Sequence, residues 1–227
     1  MSVELTVDLV RHAQSDLNKR AEDLDETPII GGRQNEVELS DLGIAQARQL
    51  GQFALAHDIR PTRVFASPAE RTLGTHKYSA EVMGLDLEPI IDLRLQEMDQ
   101  GDWTNQPRTI YSQPSVQLAM RTLGRDFAAP GGQSMNDMAD ELADFLASLQ
   151  PDPEVAAEHI WVHTHGIKTK SWLGRIFGWT SEQTYRTAID NASMTRIHGY
   201  GNDWAVEFIN QRTDVSSPHS SATKDRE

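Results

Sequence analysis

The chain has 227 residues, 38% of them hydrophobic, and no cysteine. That length suits one α/β domain with a small insertion and buries a core without covalent staples, and the missing thiols exclude disulfide frameworks and thiolate metal sites. A net charge of −13 with a pI near 5.0 sets the surface against nucleic-acid backbones and anionic membranes, so neither is an expected partner.

Met1-Ser2-Val3-Glu4-Leu5 lacks the basic and apolar regions of a signal peptide. No apolar run approaches bilayer length. The expectation is a soluble, cytoplasmic protein. Val3 to Val10 is rich in β-branched residues and reads as a strand. Residues 19–38, with Pro28 and Gly31-Gly32, read as a long loop. Ser40 caps a helix with Ile44, Ala47, Leu50 and Ala54 on one face. Val64 to Ala66 is a short buried strand. Ser67 and Glu70 have capping-box spacing, with Pro68 at the first helical position and Gly84 as the stop.

Residues 88–92 read as a strand and 93–103 as a polar loop. Residues 104–130 form an insertion with one helix near 115–123. Ser134 and Asp137 open a helix whose stripe, from Met135 to Leu149, is core packing. His159 to His163 is a strand, followed by Thr164-His165-Gly166 and another helix. Residues 194–198 and 204–209 pair as a hairpin. The tail, 211–227, is Ser-rich, neutral and expected to be disordered.

Strands alternating with helices predict a mostly parallel sheet covered on both faces, a three-layer α/β/α sandwich. A C-terminal hairpin and a small helical insertion complete the domain, which spans residues 1–210. Ligands of such sheets bind beyond the carboxyl ends of the strands. Arg11-His12, Arg71, Glu97 and His165 each follow a different predicted strand, so the topology brings them to one edge.

In an acidic body, clustered cations are informative. Arg11 and Arg71 present forks that match phosphate oxygens. Gly166 permits close backbone approach at a helix start, and Asn18 offers a neutral donor. A neutral imidazole attacks phosphorus well near pH 7. One of His12 and His165 is then the nucleophile and the other an oxygen-holding cation. A carboxylate, Glu97, Asp99 or Asp102, protonates the leaving alkoxide and later activates water. The arginines neutralise transition-state charge, so no metal and no cofactor are required. His163 and His165 lie two apart on a strand, a spacing that admits a metal reading; packing is the simpler role for His163.

At these residues the sequence resembles the histidine phosphatase superfamily, also called the phosphoglycerate mutase-like family. Leu9-Val10-Arg11-His12-Ala13 with Ser15 and Asn18 is similar to its Arg-His-Gly signature. Segments 39–47, 66–72, 95–103, 131–134, 165–166 and 191–193 resemble later family segments in the same order, so the likeness covers about residues 3–210. It implies His12 as the phosphorylated nucleophile and Glu97 as the proton donor. It makes Arg11, Arg71 and His165 the rest of the phosphate pocket, with Ser15, Asn18 and Gly166 beside them. Ala13, Gln14, Gln133 and Ile167 depart from the usual residues. Gly101-Asp102-Trp103 resembles the phosphatase branch more than the mutases. Hydrolysis of a small phosphorylated substrate is therefore expected, with a phosphoglycerate mutase and a non-catalytic phospho-ligand module as alternatives. Whether the chain is a monomer or a homodimer stays open.

Overall fold

The computed structural model describes residues 5–22, 28–155 and 157–213. The expected start of the first strand at Val3 and most of the expected disordered tail lie outside these residues. In chain order the elements are β1 (Leu5–Arg11), α1 (Asp16–Glu22), α2 (Asp41–Ala56), β2 (Arg63–Ala66), α3 (Glu70–Met83), β3 (Ile90–Ile91), α4 (Pro114–Leu123), α5 (Met135–Ser148), β4 (His159–Thr164), α6 (Gly166–Ile176), α7 (Ser181–Arg186), β5 (Met194–Tyr200) and β6 (Asp203–Gln211). Short 3-10 turns occupy 93–95, 101–103, 108–112 and 124–126.

The strands form one sheet in the order β3-β2-β4-β1-β5-β6. β3, β2, β4 and β1 run parallel, and the β5–β6 hairpin adds to β1 antiparallel. Successive side chains of β1 point to opposite faces. Leu5, Val7 and Leu9 pack with Leu142, Phe145 and Leu146 of α5 and Trp172 and Leu173 of α6. Val10 packs on the other face with Leu50 and Ala54 of α2. Each fully buried side chain of this kind stabilises the fold by about 1.5–3 kcal/mol. The expected three-layer sandwich is what forms.

Capping chemistry explains most helix ends. Ser40 Oγ accepts from Gly43 N, and Ser134 with Asp137 makes a reciprocal capping box. Gly84 ends α3 at φ 60°, the left-handed conformation that glycine adopts without a Cβ clash.

Four expectations need correction. Ser67 does not cap α3: the helix starts at Glu70 with Ala69 before it, and Pro68 lies outside it. The Ser67 hydroxyl is instead engaged with His165. The presumed loop from residue 19 begins as α1, whose first turn Ser15 closes by accepting from Asn18 N. Helix α7, with a Thr180–Gln183 capping box, was not anticipated. The tail does not start at 211: Gln211 ends β6, and Thr213 is buried with its hydroxyl on the Ala192 carbonyl.

Candidate active site

Strand register positions the site. Arg11 pairs with Thr164 as the last β1–β4 partners, and Ala66 pairs with His163 across β2–β4. His12 N donates to Thr164 O and Ser67 N to His163 O, so both ladders continue one step. His12, His165 and Ser67 therefore emerge side by side, and the two imidazole rings meet edge-on at 5.2 Å.

The His12 loop is held from several sides. Ala13 N donates to Thr75 Oγ1, and Asn191 Nδ2 donates to the His12 carbonyl. Gln14 Oε1 accepts from Ser40 Oγ. Thus one family departure is a buried structural amide. Ala13 keeps a negative φ, so a methyl in place of the usual glycine hydrogen costs no strain there.

His12 is buried, and its Nδ1 lies 2.7 Å from the Ala13 carbonyl. A carbonyl can only accept, so Nδ1 carries the proton and Nε2 keeps its lone pair. Burial first, then the Arg71 and Arg11 charges, push the His12 pKa well below the ordinary imidazole range. His165 is held down by burial first, then by the charges of Arg71, His12, Lys168 and Arg11. Its Nε2 is 2.9 Å from Ser67 Oγ, and its Nδ1 lies 3.4 Å from Arg71 Nη2. The guanidinium can only donate, so His165 is neutral with its proton on Nε2. The imidazolium expected at the second histidine is not what this environment favours.

Arg71, far from a surface residue, is buried. Its guanidinium is fixed by the carbonyls of Gln34 and Gly32. Arg11 Nη1 donates to Ile189 O. A Cβ at Gly166 would approach Arg11 Nε and Cδ at 3.1 and 3.2 Å, so the Arg11 side chain would have to shift by a few tenths of an ångström. The close approach expected at Gly166 is thus to the Arg11 side chain.

Glu97 follows β3 and has Oε1 on Met98 N at 2.8 Å and Oε2 4.0 Å from His165 Nδ1. Its main chain is gripped by a polar network. Arg33 Nε donates to Glu97 O, and Asp99 N donates to Gln133 Oε1. Arg33 Nη2 and Gln133 Nε2 both reach Glu141, at 3.4 and 2.7 Å, and Glu141 also pairs with the buried Lys168. Asp99 Oδ1 caps Gly101 N. Asp99 and Asp102 are not among the residues lining the cavity, whereas Glu97 is.

That cavity, about 550 Å³, is lined by Arg11, His12, Ser15, Asn18, Arg71 and Glu97 at one end. Asn18 Oδ1 accepts from Ser15 N and Oγ, which leaves its amide nitrogen as the donor. His165 and Gly166 adjoin this floor but do not open onto the cavity. Tyr111, Tyr185, Lys170, Arg108, Met98 and Ile167 line the remainder. Trp103 packs edge-on against Tyr111, with ring centroids 5.4 Å apart. Lys170 and Tyr185 were missed, because α6 and α7 carry them in without a local motif. His163 lies buried between His76 and Trp161, a packing role. Among the described residues no group of three or more His, Asp or Glu gathers as a metal ion would need. No described helix is long and apolar enough to cross a membrane.

A sequence profile of the histidine phosphatase superfamily (branch 1) matches residues 7–212. The chain belongs to this superfamily. Among curated relatives, the probable phosphoglycerate mutase GpmB of Salmonella typhi is 29% identical over 223 residues, covering 94% of this chain and 96% of the relative. The superfamily fold is matched by a mycobacterial glucosyl-3-phosphoglycerate phosphatase, with TM-score 0.70 and 23% identity over 92% of this chain and 99% of that one. A putative alpha-ribazole-5'-P phosphatase from Escherichia coli gives TM-score 0.70 at 19% identity, covering 92% and 97%. The curated relative thus carries a mutase name, and the solved structures of like fold carry phosphatase names.

Proposed function

We propose that the chain is a phosphomonoester hydrolase in which His12 is phosphorylated and Glu97 acts as general acid and then general base. The observation that carries this is the His12 tautomer. With Nδ1–H on the Ala13 carbonyl, the free Nε2 belongs to a ring that lines the cavity with Arg11 and Arg71. A buried neutral imidazole is a nucleophile without prior deprotonation. In-line attack by Nε2 forms the N–P bond as the ester P–O bond breaks, and Glu97 gives its proton to the departing alkoxide. Glu97 then takes a proton from water, whose oxygen attacks phosphorus and returns Nε2 as leaving group. Arg11, Arg71 and the Asn18 amide hold the non-bridging oxygens, and each charge-assisted hydrogen bond contributes about 1.5–3 kcal/mol. Arg71 also donates to His165 Nδ1, which makes His165 the group that orients Arg71. The arginines supply the neutralisation that a metal would otherwise provide.

Hydrolysis is preferred to mutase transfer because the cavity is wide and walled by tyrosines and methionines beyond the phosphate end, more room than a three-carbon acid fills. The test is turnover of a chromogenic phosphate ester in excess chelator. Wild-type release of phosphate, lost in His12→Ala, is expected. Wild-type turnover by His12→Ala overturns the proposal. Phosphoryl transfer between phosphoglycerate isomers that outpaces their hydrolysis supports the mutase instead.

A further inference from the structure

Beyond the phosphate end, the cavity holds groups the reaction does not use. Arg108 comes from the insertion and Lys170 from α6. Arg108 Nε is tied to the Ile29 carbonyl at 3.0 Å, which fixes its side chain at the wall. Lys170 Nζ donates to the Tyr185 carbonyl at 3.2 Å and lies 5.5 Å from that ring's centroid. Tyr111 is braced by Gln100 through its hydroxyl and by Trp103 edge-on. Met98, Met120 and Ile167 add apolar lining to the same cavity.

Charge and size define what fits. Among the lining residues four cations, Arg11, Arg71, Arg108 and Lys170, face one carboxylate, Glu97. In a chain of net charge −13 that excess is local. A phosphate monoester brings about −1.5 to −2, which leaves about one positive charge unmatched with Glu97 ionised and about two with Glu97 protonated as the general acid. A cavity of about 550 Å³ falls in the range of roughly 300–1,000 Å³ that takes drug-sized ligands.

We infer that the substrate is a phosphomonoester of a bulky alcohol with an apolar, ring-like face and a second anionic group. The ring face lies against Tyr111, Tyr185 and the methionines, and Lys170 and Arg108 receive the second anion. This rests on the proposed phosphatase site and deepens it.

Three probes separate the features: glycerol phosphate, 2-naphthyl phosphate, and a 2-naphthyl phosphate carrying a carboxylate on its far ring. The expected order of kcat/KM is carboxynaphthyl above naphthyl above glycerol phosphate, with steps of about tenfold or more, the worth of one charge-assisted hydrogen bond or one buried ring. Binding to His12→Ala by calorimetry should give the same order without turnover. Lys170→Glu and Arg108→Glu should each shrink or invert the carboxylate preference. Equal kcat/KM and equal binding for the two naphthyl esters overturns the inference, as does a preference that survives both charge reversals. The same binding order with no turnover retains the ligand class and sinks the hydrolytic reading instead.

Discussion

Glu141 accepts from Lys168, Gln133 and Arg33, and two of these grip the main chain on either side of Met98. Lys168 has a fully buried side chain, while that of Glu141 is 28% exposed. Burial pushes the Lys168 ammonium pKa down, and Glu141 pulls it back. Glu141→Leu leaves that ammonium without its anion. Breaking a buried pair from one side costs about 3–5 kcal/mol, and the partial exposure of Glu141 points to the lower end. Removing both charges in Glu141→Leu/Lys168→Met should bring stability back to within about 1 kcal/mol of wild type, since paired buried charges barely outweigh their desolvation. Urea unfolding with unchanged m reads both values. Activity should not recover with stability. Arg33 and Gln133 lose the anchor behind Glu97, so kcat should fall about tenfold in the double variant, or about 1.4 kcal/mol of barrier, with KM little changed. A double variant as unstable as the single one refutes the buried-charge argument. A stable double variant with wild-type kcat refutes the positioning role.

Ser67→Ala removes the acceptor of the His165 Nε2 proton in a fully buried place; urea unfolding should show a loss of about 1–3 kcal/mol, and no loss would mean that this hydrogen bond does not hold the ring. Gly166→Ala brings a methyl against Arg11 and should raise KM for phosphate esters about tenfold by displacing one phosphate fork; an unchanged KM would mean that the methyl is accommodated without moving that fork. His12, His163 and His165 are all held well below the ordinary imidazole pKa, chiefly by burial. The unfolded chain takes up these protons near pH 6.5 and the folded one does not. Stability should therefore fall as pH drops below about 6.5, by up to about 1.4 kcal/mol per pH unit for each imidazole. Denaturant titrations that show stability flat from pH 7 to 5 would contradict their burial as neutral groups.

The legible part of this molecule was the part written locally. Strand ends ran into Arg11-His12 and His165-Gly166, and caps such as Ser134–Asp137 and Gly84 bounded the helices where expected. Ser67 shows the limit: a Ser-Pro-x-Glu pattern suits a cap, yet the hydroxyl had a stronger call on it from a histidine 98 residues away. Glu97 could be separated from Asp99 and Asp102 only by family likeness; in the fold, Asp99 spends its carboxylate on Gly101 N. Helices α1 and α7 escaped because seven and six residues are too few to show a period. The network from Lys168 to Glu97, and the wall of Lys170, Tyr185 and Arg108, joins residues that are remote in sequence. No spacing rule reports such contacts.

The most direct test is to trap the intermediate. Protein mixed with a phosphate ester is quenched in alkali, where phosphohistidine persists, digested and mapped by mass spectrometry. The phosphoryl group should lie on the peptide containing His12, attached at Nε2, and be absent from His12→Ala. Turnover without any phosphohistidine, or the label on His165 instead, contradicts the assignment of His12 as nucleophile.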